Sequence, residues 1–181
     1  MRERFAFLAN WGFEVESVHE RAVVWRAADR RITVARDWRD GFVDVTFARG
    51  EPGAFVDRFG LHEGLEAVGK GELWPAHGWQ GYDPTVARSY VDELASLTSA
   101  VAPELLGLGS AGWERAAARS RELSHEYTRD LADSRTRRAA EAAWHARDWT
   151  AVVKHYVALE AGGASLAPSE LKRLAYARKR L

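Results

Sequence analysis

Six histidines are the first side chains in this chain that could do chemistry: His19, His62, His77, His125, His145 and His155. Imidazole serves as a general acid or base near neutral pH and as a metal ligand. Neither use is set up here. No two histidines sit four apart around a glutamate, the spacing that holds zinc on one helix face, and none lies in a carboxylate-rich ligand set. Glu122 and Glu126 are four apart and could share acid–base work if their surroundings separated their pKa values. Arg115, Arg119, Arg121 and Arg129 surround them at helical spacing, so ion pairs along one helix account for them more simply. Gly69-Lys70-Gly71 and Gly107-Leu108-Gly109 are too short to cradle a phosphate. Neither a Gly-x-x-x-x-Gly-Lys-Ser/Thr loop nor a Gly-x-Ser-x-Gly elbow occurs. The chain has no cysteine, which excludes disulfides, thiolate nucleophiles and cysteine-ligated zinc. The residues therefore assign no catalytic group, no metal ligand and no cofactor.

Binding chemistry is more visible. The segment from Trp74 to Tyr82 holds Trp74, His77, Trp79 and Tyr82 on a backbone rich in glycine and proline. Aromatic rings with polar edges dominate the energetics of protein interfaces, so these four residues are candidate partner contacts. The alternative is that the rings fold down as a lid over an open apolar sheet face, because a single sheet needs a second layer. A second candidate is the basic tail: Lys172, Arg173, Arg178, Lys179 and Arg180. Such a run can touch phosphates. It can equally place cations favourably at a helix C-terminus. The second reading is preferred, because Tyr176 is the only aromatic residue interleaved in the tail and the formal net charge of the chain is zero.

The elements that must position these residues follow from spacing. Residues 2–11 form a short amphipathic helix with Phe5, Leu8 and Ala9 on one face, ended by Gly12. Four strands follow: Phe13–Glu16, Val23–Trp25, Ile32–Ala35 and Phe42–Phe47, separated by short polar turns of which Asp40-Gly41 is the clearest. Connections this short make the strands antiparallel neighbours. The core face is expected to carry Phe13, Val15, Val23, Trp25, Ile32, Val34, Val43, Val45 and Phe47. A turn at 49–53 and one or two short helices within 54–68 come next. From Asp83, a cap ahead of Pro84, the pattern is helical. Gly107 and Gly109 end one helix, and Asp133 or Ser134 is expected to cap the helix that carries Trp144. Trp144, Trp149 and Tyr156 should anchor helix-to-helix packing in the tail. The fold class is α+β: a helix with a four-stranded antiparallel meander and aromatic loop over 1–82, and a helical bundle over 83–181 packed against it.

Composition narrows the function class without choosing within it. Arg outnumbers Lys by 22 to 4, which fits a high-GC bacterial source and carries no functional weight. The first residues, Met1-Arg2-Glu3-Arg4, are too charged for a signal peptide, and no apolar run is long enough to span a bilayer, so a cytoplasmic location without membrane attachment is expected.

Asp148-Trp149-Thr150-Ala151, with Ala158 and Leu159, resembles the helix-to-helix turn and second helix of tetratricopeptide-type repeats, and Ser169 to Ala177 resembles the opening helix of a further unit. The resemblance spans about 40 residues; a tandem array, which normally needs about three repeats, is missing. The whole chain also resembles small, uncharacterised bacterial proteins built from a helix, a meander and a tetratricopeptide-like helical tail. The size of the chain, the missing catalytic motif and the helical tail fit a non-catalytic protein-binding module, such as a toxin-neutralising immunity protein or an accessory factor of a gene cluster. Two alternatives stand beside it: an enzyme or small-ligand binder with a pocket between the sheet and the Trp74–Tyr82 loop, and a nucleic-acid-associated protein using the basic tail.

Overall fold

The structure is a computed structural model. It describes every residue except Trp38, Pro52, His77, Gly78, Gly81, Tyr82, Leu108 and Gly109, together with the side chain of Pro84. The chain divides into two compact units, Met1–Glu122 and Leu123–Leu181. Val91, Leu94, Val101 and Leu105 belong to the same buried cluster as Val23, Ile32 and Phe47.

The first unit opens with a 3₁₀ helix, Arg2–Trp11, which buries Phe5 and Leu8 and ends at Gly12 in the left-handed region, φ 78°. Five antiparallel strands then run in sequence order: β1 (Glu14–Val18), β2 (Ala22–Ala27), β3 (Arg30–Arg36), β4 (Val43–Glu51) and β5 (Ala54–Gly60). The register aligns Trp25, Ile32, Phe47 and Phe59 across one row and Val23, Val34 and Val45 across the next. These side chains form the buried face, as their alternation requires.

The strand count corrects the sequence reading, which placed one or two short helices within 54–68: Ala54–Gly60 is a strand, and Leu61–Ala67 is the short helix. In β5 the usual polarity is inverted: Phe55 and Val56 are exposed while Asp57 is buried. No apolar alternation marks the strand, and a bulge between Arg49 and Gly50 shifts its register. Val15 is a second correction. It faces the core side opposite Trp25, but β1 is an edge strand and leaves Val15 37 % exposed.

After α1 (Leu61–Ala67), α2 (Pro84–Leu106) is capped by Asp83, whose carboxylate accepts from Thr85 N and Val86 N. The third helix, α3 (Ala111–His145), is continuous over 35 residues. Asp133 and Ser134 cap nothing; from Trp113 to Ala161 no glycine or proline interrupts the sequence, so polar residues alone do not stop the helix. Its first turn presses on the end of α2 so closely that a Cβ at Gly112 would stand 2.4 Å from Glu104 O. Trp113 is fully buried there, edge-on to Phe59 at 4.9 Å.

The second unit is formed by the last part of α3 with α4 (Trp149–Ala161) and α5 (Pro168–Arg178). Ala140, Val152, Tyr156, Leu159, Leu174 and Ala177 are its core, with Trp144 and Trp149 half-buried against it. Asp148 caps α4 by accepting from Ala151 N. Arg137 fixes the α4–α5 connection, donating to Ser165 O at 2.9 Å and pairing with Glu170 at 3.1 Å, while Glu170 accepts from Ala167 N.

Candidate functional site: a cationic aromatic surface on the helical tail

Of the aromatic loop named by the sequence, Trp79 is built into the core. Trp79 is 1 % exposed, edge-on to Trp74 at 5.4 Å and to Tyr90 at 5.7 Å. Its carbonyl accepts from Val43 N, and Gln80 bridges Phe42, which stitches the loop to the start of β4. Trp74 is half-buried against the His62 ring. His77 and Tyr82 lie outside the described residues.

Two charged clusters at the sheet are internally paired. Arg31, 5 % exposed, grips Glu16 with two nitrogens at 2.9 and 3.2 Å and Glu51 at 2.9 Å; Arg26 closes the ring of charges. These bonds hold Glu16 below the usual carboxylate range, chiefly through the hydrogen bond from Arg31. At the other end of the sheet the buried Asp57 accepts from Arg49 and Arg121, and Arg49 also pairs with Glu114 at 2.7 Å. The hydrogen bond from Arg49 lowers the Glu114 pKa. Paired charges of this kind pin strands and helices; they leave little free valence for a substrate. Among the described residues there is no cluster of histidine and carboxylate groups that could hold a metal ion, and no helix is long and apolar enough to cross a membrane.

The second unit differs. Trp144, Trp149 and Tyr176 come from three separate helices and meet as a mutual trio, with centroids 5.4, 5.5 and 5.5 Å apart and every pair near edge-to-face. The local sequence explains the meeting. Trp144 ends α3 and Trp149 begins α4, separated by a tight turn in which Arg147 takes φ 58°. Tyr176 reaches the same place from the last turn of α5. The Arg173 guanidinium lies over the Trp144 ring at 5.6 Å, and Arg180 lies over Tyr176 at 5.1 Å while donating to its hydroxyl at 2.9 Å.

The basic tail sorts itself on this geometry. At 100° per residue, Lys172, Arg173, Tyr176, Lys179 and Arg180 share one face of α5 and its end, whereas Arg178 lies on another. Among the described residues, the side chains of Arg147, Lys172 and Lys179 make no ion pair. Charge is also segregated between the units. Leu123–Leu181 holds 11 basic and 7 acidic side chains, +4, and Met1–Glu122 holds 15 and 19, −4. The zero net charge of the whole chain conceals this.

Sequence reasoning named the cations but missed their aromatic setting. Residues 144, 149 and 176 lie on three separate helices and are too far apart for a linear reading of interleaving. Comparison with family models, with curated proteins and with solved structures finds no match to this chain.

Proposed function

We propose that this protein is a non-catalytic binding protein whose tail surface captures an acidic segment of a protein partner. The observation that carries the reading is the Trp144–Trp149–Tyr176 trio with Arg173 and Arg180 on its rings. Trp, Tyr and Arg are the residue types on which interface energy concentrates, and cations around them complement a carboxylate-rich segment. The expected roles of an immunity or accessory protein, which act by binding alone, fit this chemistry. A tetratricopeptide-like pairing of the end of α3 with α4, with α5 opening a further unit, belongs to the same proposal.

A single-stranded nucleic acid also needs rings and cations. The protein partner is favoured because the three rings spend much of their faces and edges on one another, leaving little platform for successive bases.

The test is a titration of the full chain with a synthetic Asp/Glu-rich peptide, read by intrinsic tryptophan fluorescence, with an oligothymidylate in parallel. The peptide should bind, and R173Q/K179Q should weaken it by about tenfold or more while leaving the thermal midpoint within about 2 °C. Tighter binding of the oligonucleotide, equally sensitive to R173Q/K179Q, would replace this reading by the nucleic-acid one. Binding of either probe unaffected by R173Q/K179Q would remove the tail surface from the function.

A further inference from the structure

We propose that the cleft between the N-terminal 3₁₀ helix, the end of β3 and the first half of α2 is a binding site for a small organic anion, an oxyanion head on a compact apolar body. The cleft is about 610 Å³, within the range of small-molecule sites. Its floor is apolar and well packed: Val43 is 0 %, and Ala87 and Val91 are each 6 % exposed. Its rim is cationic. Arg2 and Arg4 come from the 3₁₀ helix, Arg36 from the end of β3 and Arg88 from α2, against the carboxylates of Glu3 and Asp92.

These charges are not equally available. Asp92 is held by Arg4 at 2.7 Å, a pair that fixes the spacing of the 3₁₀ helix from α2 and neutralises one member of each sign. Arg36 is half-buried and engaged. Arg2 and Arg88, by contrast, make no ion pair among the described residues and line the cleft from two different elements. Two exposed guanidinium groups lining one cleft with an apolar floor suit a carboxylate or phosphate, because each presents a planar fork of donors matched to such oxyanions. The floor selects for an apolar body behind the head. This ligand differs from the acidic segment proposed for the tail, and the residues involved belong to the other unit.

The experiment uses the full chain and three probes: phenyl phosphate, inorganic phosphate and phenol, followed by calorimetry and thermal shift in 150 mM salt. Phenyl phosphate should bind about tenfold or more tighter than either half alone. R2Q/R88Q should abolish most of that binding without moving the thermal midpoint of the unliganded protein, since both side chains are exposed and make no ion pair among the described residues. V91T, which makes the floor polar at nearly constant volume, should reduce the advantage of phenyl phosphate over inorganic phosphate. Equal binding of phenyl phosphate and inorganic phosphate would overturn the proposal, as would no binding at millimolar concentration or binding indifferent to R2Q/R88Q. The tail titration with the acidic peptide should be unchanged in R2Q/R88Q, so the two proposals fail separately.

Discussion

Burial of Trp79 to 1 % of its surface leaves no ring there for a partner to touch. From the residues alone, a glycine-rich loop with four rings reads equally as a binding loop or as a lid, because composition records what a segment contains and not which way it turns. What decides is the neighbourhood: Trp74 and Tyr90 on two sides of the indole and the bond from Val43 N to the Trp79 carbonyl. Trp79→Ala should therefore cost about 3–5 kcal/mol of stability, the range for truncating a buried aromatic ring. Urea unfolding with an unchanged slope would measure it. A loss under about 1 kcal/mol, typical of a surface position, would return the loop to the list of candidate contacts. Arg147 poses the converse case. A non-glycine residue at φ 58° carries backbone strain that glycine would relieve. Arg147→Gly should thus raise stability by about 1 kcal/mol. If the tail surface works as proposed, the same substitution should weaken the acidic peptide, because it removes a cation from the turn between Trp144 and Trp149. A variant with a higher thermal midpoint and undiminished peptide binding would show that Arg147 lies outside the contact.

Elements were legible where alternation and turn chemistry agreed. β2, β3 and β4 bury Val23, Trp25, Ile32, Val34, Val43, Val45 and Phe47, the residues their period-two pattern points inward. β5 was not legible, because an ion pair took the place of an apolar residue at Asp57 and two apolar residues turned outward. The length of α3 was misjudged for a different reason: Asp and Ser favour helix starts but do not enforce them when the flanking residues are good helix formers. The charged ties between elements give a pH prediction. Glu16 is held low chiefly by the hydrogen bond from Arg31, Glu104 by that from Lys70 and Glu114 by that from Arg49. A carboxyl whose folded pKa is depressed stabilises the fold above its unfolded value, and that contribution is lost as pH falls through the folded one. Stability should therefore be level around neutrality and decline below the ordinary glutamate value of 4.5. Glu16→Gln should be less stable than the parent at pH 7 and should converge with it as pH falls below the ordinary glutamate value and through the lowered folded one. Urea midpoints across that range would show it; parallel curves would mean that the ties contribute nothing to folding.

The whole molecule has a charge distribution that its total misrepresents. With −4 in Met1–Glu122 and +4 in Leu123–Leu181, the protein at its sequence pI of 7.0 is neutral only on average. Screening acts over about 10 Å at 0.1 M salt, and further as salt is diluted, so a surface of opposite charge senses one unit more strongly than the sum. The cations on the α5 face give the basic unit a concentrated pole, where Lys172 and Lys179 make no ion pair among the described residues. The full chain should therefore be retained by a sulfonate cation exchanger at pH 7 and low ionic strength, although its net charge is zero. Location can be separated from total charge by two variants of equal net charge. Lys172→Gln with Lys179→Gln removes two cations from the tail pole, and Arg21→Gln with Arg58→Gln removes two exposed cations from the first unit. If retention comes from the pole, the tail variant should elute at clearly lower salt than the first-unit variant. Identical elution would mean that the resin reads only the total, and that the tail presents no concentrated field with which to attract an acidic partner.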